Sequence, residues 1–414
     1  MLFCLAMVIK TYMPCPFWDE WVVVKQIGQG NGPLSVHWLW SQQNEHRLAV
    51  PRLAVWLDLI RFGGRNVSLL VEIFLVQLLH LGAVCWVIER YGEEPVALKR
   101  SLQGLFAFAL FHPNQIENFT WAFQIGFVWP FLLATLALVA VAFFERWRHP
   151  AAAITLAGLS PIAAALGLAG GLLIGPVSIA LAIVKRLPRR YIVGLSCAFV
   201  ASGVVYLYGY HRSATDLPPN AALSHAKNLL VYVLTYFGAS WTRILPHKER
   251  TIAFISLIAY AALLISRVRA ASKTSDLEWL LLAECTLMLA TALLTAFGRI
   301  QFGVGQAFAG RYQTPAMIYW AGLAGMALIR VNRVWPRRLA IAQAILLVLM
   351  LVSIATFPKA WSATLGRALV LRSACQAVMG SNFNREDARE LYEAPEVVQD
   401  AQPFLRRVWG GVVK

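Results

Sequence analysis

The run FTWAFQIGFVWPFLLATLALVAVAFF, residues 119–144, carries no charged side chain and is long enough to cross a bilayer, since about 20 apolar helical residues span roughly 30 Å of hydrocarbon. Similar runs fall at 67–89, 98–111, 151–168, 171–184, 190–210, 251–266, 277–297, 314–330 and 338–357. Several are shorter than the roughly 20 residues of a perpendicular span, so tilt or a thinned boundary is expected for them. The opening run makes about eleven. It is stunted, meeting Lys10 early, so the first helix is expected to be half-buried or the start of the chain missing. Overall, 58% of the 414 residues are hydrophobic and 14% charged, which no ordinary soluble domain shows. The fold expected is an all-α polytopic membrane protein.

The formal charge of +16 would suggest nucleic acid in a soluble chain, but here it is explained by topology. Alternating the runs puts the connections 90–100, 145–149, 185–190, 267–276 and 330–338 on one face. These loops, about a tenth of the chain, hold Arg90, Lys99, Arg100, Arg146, Arg148, Lys185, Arg186, Arg189, Arg190, Arg267, Arg269, Lys273, Arg330, Arg333, Arg337 and Arg338, sixteen of 37 basic residues. By the positive-inside bias that face is cytoplasmic, and no nucleic-acid partner is expected. The longer connections 10–66, 112–120, 211–250 and 298–313 then lie outside, in a membrane domain of residues 1–357. The segment 358–414 is expected to form a small outer cap, with Asn384-Arg385-Glu386-Asp387 opening a short helix. Two weaker apolar stretches, 48–60 and 229–241, read as helices lying in the outer interface.

Six cysteines show no CxxC or Cys/His cluster. Cys85, Cys197 and Cys285 lie in apolar runs. Cys15 and Cys375 both fall outside, where a disulfide is open to them, although two free thiols are the default.

The chemistry-bearing residues gather in the outer connections. Pro16-Phe17-Trp18-Asp19-Glu20-Trp21 sets two carboxylates between aromatics, and Gln43-Asn44-Glu45-His46-Arg47 follows. Adjacent residues point in different directions, so one working carboxylate with one supporting group is expected rather than a dyad sharing a proton. A solvated turn flanked by interfacial tryptophans accounts for the acid motif equally well. His112-Pro113-Asn114-Gln115-Ile116-Glu117-Asn118-Phe119-Thr120-Trp121, with Gln124 beyond, sets polar groups at a helix mouth, where they would line a wet cavity; helix capping explains one of them, not all. Gly298-Arg299-Ile300-Gln301-Phe302-Gly303 and Gly310-Arg311-Tyr312 offer guanidinium forks suited to phosphate, or arginines that snorkel to headgroups.

Together these features resemble the GT-C superfamily of integral-membrane glycosyltransferases. The likeness rests on the carboxylate motif opening the first outer loop, the Asn-Glu-His-Arg segment, the Pro-x-Gln-x-Glu-Asn-x-x-Trp-x-x-Gln run and the late Arg-Tyr. Gly167-Leu168-Ala169-Gly170-Gly171-Leu172-Leu173, joining two short helices, and the tail phrases Leu391-Tyr392, Pro395 and Pro403-Phe404-Leu405 are similar too. The resemblance implies transfer of a sugar from a polyprenyl-phosphate donor to a glycan, lipid or protein acceptor, with inversion. An integral bacterial inner-membrane protein with a periplasmic active site follows.

Carried over, the pattern implies Asp19 as general base with Glu20 in support, and Arg311, Arg47 and His46 on the donor phosphate. It implies Glu45, Asn114, Glu117, Trp121, Gln124 and Tyr312 as substrate-binding residues. Some members use a divalent metal, for which Asp19, Glu45 and His46 offer ligands, but their spacing is not diagnostic and the metal is left open. A transporter or flippase, or an inert scaffold, are the rival readings. Against transport, the spans are almost free of charge, Glu72 and Glu284 excepted.

Overall fold

A computed structural model describes residues 1–30, 35–211, 225–380 and 383–411, so part of the expected outer loop 211–250, residues 212–224, lies outside the described residues. The apolar runs become helices because a peptide group in hydrocarbon has no partner other than the helix ladder. Among the described residues seven helical segments are long and apolar enough to cross a membrane: Val67–Tyr91, Ala122–Ala142, Arg189–Leu207, Glu249–Arg269, Asp276–Phe302, Gly310–Val334 and Pro336–Met379. Leu2–Thr11, Pro150–Ala165 and Ala169–Val184 are apolar but shorter. The chain is an all-α integral membrane protein. The strand pairing among the described residues is a hairpin of Gln42–Gln43 with His46–Arg47.

Ion pairs between the short basic connections gather them at one end of the bundle. Arg146 reaches Glu93 at 3.1 Å and Asp276 at 3.8 Å, and Lys185 also pairs with Asp276. Glu278, 1% exposed, accepts from Arg267 and Arg333. It also closes a capping box with Ser275 that starts the helix Asp276–Arg299. At the other end of the helices the long connections meet one another, which brings the acid motif, the hairpin and both arginine segments together.

The two weaker stretches are helical but are not laid on a surface. Ala49–Arg61 buries Arg52 and Asp58 at 1% and 2% exposure. Arg52 donates to the carbonyls of Trp38 and Ser41 at 3.0 and 2.5 Å. Asp58 accepts from the Asn66 amide at 3.0 Å and the Ser68 hydroxyl at 2.5 Å, anchoring the start of Val67–Tyr91. Ala226–Gly238 puts Tyr232, Tyr236 and Phe237 at 0% exposure against neighbouring helices. The charges of Arg52 and Asp58 look interfacial in sequence because their partners are main-chain groups and a serine hydroxyl rather than opposite charges.

The tail is more than a detached cap. Phe357–Met379 is a long helix, and Arg385–Leu391 starts at Asn384, whose side chain accepts from the Glu386 amide, as expected. Pro395–Trp409 buries Val398, Ala401, Leu405 and Val408 at helical spacing. That stripe packs on Glu20–Gly28, where Gly28 admits the Phe404 ring. Lys25 pairs with Asp400 at 2.7 Å, and the Trp409 indole donates to the Gly64 carbonyl at 2.9 Å. Cys15 and Cys375 are joined in a disulfide across 360 residues, against the default of free thiols.

Candidate active site

The acid pair divides its labour as the alternation of side-chain directions requires. Glu20 opens the helix Glu20–Gly28, is 1% exposed, and accepts the Phe17 amide at 3.1 Å. Burial pushes its carboxyl well above the usual range, the Phe17 amide opposing and the Asp58 charge adding to the rise. It therefore ties the loop together. Asp19 makes no capping bond. Its carboxyl is also raised by burial, against the pull of Arg311, Arg299 and His46.

Trp18, just before, has φ +52°, a left-handed backbone that costs a bulky residue about 1 kcal/mol or more. The tail holds it there: Trp18 N–H donates to the Leu391 carbonyl at 2.8 Å, and its ring meets Tyr392 edge-on. From the other side the Trp121 indole donates to the Phe17 carbonyl at 2.9 Å. Asp19 is thus fixed by two segments far away in sequence.

Beside it lies a cavity of about 230 Å³ lined by Glu45, His46, Arg299, Arg311, Tyr312 and Tyr236, with Phe127, Phe131 and the Leu168-Ala169-Gly170 turn. Asn44, at φ +51°, turns the hairpin that presents Glu45 and His46. Glu45 pairs with Arg299 and lies 3.3 Å from His46 Nε2, while His46 Nδ1 accepts from the Ala169 amide at 3.4 Å. Burial alone would raise the Glu45 carboxyl, yet the hydrogen bond and charge of His46, with Arg299, hold it down at about 2. Arg311 is set by Glu117, which accepts its main-chain N–H and its Nη1 at 3.2 Å each. Gly310 permits that approach, because a Cβ there would fall 2.7 Å from Glu117 Oε2. Tyr312 stacks on Tyr236 with centroids 5.5 Å apart.

No family model, curated protein or solved structure matches the chain. The site is therefore read from its own geometry.

Of the expected residues, Glu45, His46, Arg311 and Tyr312 line the cavity, and Asp19 stands within the field of its cations. Arg47 does not line it. That guanidinium, 2% exposed, donates to the carbonyls of Tyr206, Trp40 and Tyr208 at 2.8, 2.5 and 2.5 Å, so it holds the hairpin rather than a phosphate. Asn114 donates to the Ser240 carbonyl at 3.1 Å, Glu117 is engaged by Arg311, and Trp121 is a loop anchor. Gln124 is fully buried away from the cavity lining, with no partner for its amide among the described residues. Arg299 and Tyr236 are the residues that the site assignment missed. Arg299 was visible as an arginine at a helix mouth, whereas Tyr236 had no signal in sequence. Among the described residues no three His, Cys, Asp or Glu side chains form a metal-holding group, so Asp19, Glu45 and His46 do not make a shared ligand set as arranged.

Proposed function

We propose that the chain is a GT-C type glycosyltransferase. It moves a hexosyl or pentosyl unit from a polyprenyl-phosphate carrier to an acceptor hydroxyl, with inversion. About eleven membrane helices and a working face on the periplasmic side of a bacterial inner membrane belong to the same reading. The observation that carries it is the set of charges around Asp19: the arginines acting on that unpaired carboxylate are two that line the neighbouring cavity. A base and a phosphate-holding pair are what inverting transfer from a lipid phosphate requires.

In this mechanism Asp19 takes the proton of the acceptor hydroxyl as its oxygen attacks the anomeric carbon. The bond from that carbon to the phosphate oxygen breaks, and the released electron pair and charge rest on the lipid phosphate. Arg311 and Arg299 stabilise that charge, with His46 as a further donor. The elevation of the Asp19 carboxyl makes it a stronger base than a solvated aspartate. Glu45, held ionised, fixes Arg299 and His46 in place. The aromatic walls offer ring faces for a sugar. At about 230 Å³ the cavity is small beside the roughly 300–1,000 Å³ of drug-sized pockets, which suits one sugar-phosphate head with the lipid tail outside.

Asp19→Asn tests the assignment in purified protein given polyprenyl-phosphate sugars. Transfer should fall at least about 100-fold, the usual worth of a general base, with donor binding intact; wild-type transfer by the variant would remove Asp19 from the mechanism. The transport reading draws on one observation, the ionisable side chains of His80 and Glu284 inside the bundle. Solute uptake by vesicles lacking acceptor would favour it.

A further inference from the structure

Glu284 lies in the middle of the helix Asp276–Arg299, 3% exposed, and forms no ion pair with a basic side chain among the described residues. Its Oε1 accepts the Thr135 hydroxyl at 2.6 Å, and the same Thr135 oxygen lies 2.8 Å from His80 Nε2. Three helices thereby meet in one hydrogen-bonded triad. A hydroxyl that donates to the carboxyl has its lone pairs left to accept, so His80 Nε2 carries the hydrogen.

One turn along the same helix, fully buried Gln77 donates to the Leu110 carbonyl at 3.2 Å and to Gln115 Oε1 at 3.4 Å. Gln115 Oε1 also accepts from the Thr314 hydroxyl at 2.5 Å, and Asn118 donates to Thr314 Oγ1 at 2.9 Å and to the Arg311 carbonyl at 3.3 Å. A polar file therefore runs from Gln77, one turn from His80, to the main-chain carbonyl of Arg311, a residue that lines the outer cavity. Four buried atoms of the triad and the file, Glu284 Oε2, His80 Nδ1, Gln77 Oε1 and Asn118 Oδ1, have no partner among the described residues. Buried polar atoms of this kind are where ordered water binds.

We propose that Glu284, Thr135 and His80 form a proton-binding site within the membrane domain, and that it exchanges with the outer cavity by water held along the file Gln77, Gln115, Thr314 and Asn118, whose amides order that water and carry no proton themselves. An unpaired charge in hydrocarbon is costly, so the pair holds one proton and stays neutral overall. That proton moves without net charge: His80 Nε2 passes its hydrogen to Thr135 Oγ1 while Thr135 passes its own to Glu284 Oε1. An imidazolium beside a carboxylate becomes a neutral imidazole, keeping its hydrogen on Nδ1, beside a carboxylic acid. Loading from outside places one hydrogen on His80 Nδ1, delivered by water. Cys285, the next residue, donates to the Tyr319 carbonyl at 3.5 Å and thus faces the helix Gln313–Val334. The proposal does not depend on the transferase reading.

Infrared difference spectroscopy on the full chain in lipid vesicles tests it. The stretch of a protonated carboxyl should be present, vanish in Glu284→Gln, shift in Thr135→Val, and persist in Asp19→Asn and Glu20→Gln. On transfer to heavy water the band should shift without unfolding, and Thr314→Val should slow that exchange by about tenfold, the effect expected for one lost link. A band unaffected by Glu284→Gln, with no Thr135→Val shift, would show an ionised Glu284 and overturn the site. Exchange that occurs only on unfolding would make the triad a closed structural tie and overturn the connection. Should Glu284→Gln fail to fold, the Thr135→Val shift decides alone.

Discussion

Breaking the Cys15–Cys375 disulfide, by a thiol reductant or by Cys15→Ser with Cys375→Ser, should loosen the tail locally without melting the bundle. For a separation of 360 residues the chain-entropy relation gives about 6 kcal/mol. Membrane helices that stay inserted shorten the chain actually released, so roughly the ordinary 2–4 kcal/mol is expected. The tail keeps its non-covalent hold, because Val398, Leu405 and Val408, 0%, 0% and 6% exposed, contribute about 1.5–3 kcal/mol each before ordering costs. The docked form therefore persists, and its open population rises by roughly 30- to 700-fold. Native-state hydrogen exchange reads this directly: protection of the amides in Pro395–Trp409 should drop by that factor, while Asp276–Arg299 is unchanged. Because Leu391 holds the Trp18 amide, the Trp18 environment should loosen with it. Unaltered protection in 395–409 would refute the claim that the disulfide holds the tail, and equal loss across the bundle would refute a local role.

Arg299→Ala should raise the donor KM, since removing one member of a partly buried charge pair costs roughly 2–5 kcal/mol. Arg47→Ala should chiefly lower Tm, three carbonyls losing their donor. For Glu45 the folded carboxyl lies at about 2 against an ordinary 4.5. Its contribution is present above 4.5 and is lost as pH falls from 4.5 towards 2, on the order of 3 kcal/mol; Glu45→Gln should flatten thermal stability over that window, and an unchanged slope would contradict the pairing. Gly310→Ala forces Glu117 off Arg311, losing a charge-assisted bond worth about 1.5–3 kcal/mol, and should lower Tm as well as raise donor KM.

The site was partly legible because its groups had no other reason to sit at helix mouths. Glu45, His46, Arg311 and Tyr312 were named from that anomaly, and all four line one cavity. Arg47 donates to three carbonyls, two of them more than 150 residues away; an arginine in a polar loop reads the same whether it faces a ligand or such carbonyls. Glu117 and Trp121, expected to bind substrate, have Arg311 and the Phe17 carbonyl as their partners. Tyr236 at the cavity was invisible, since it sits in a stretch whose short hydropathy pattern suits a surface helix as well as a buried one.

By itself the sequence determined that this chain is a bundle of membrane helices with its basic loops at one end and its long polar connections at the other. Hydrocarbon admits only helices along such apolar runs, and charge asymmetry orders the loops, so both follow from local composition. Only the tertiary structure decided which carboxylate of the pair is free, which arginines face the cavity, that the tail is bonded to the acid loop, and that Glu284 meets His80 through Thr135. Those are contacts between residues brought together by packing, and a single chain read in order carries no record of which distant group a side chain will meet.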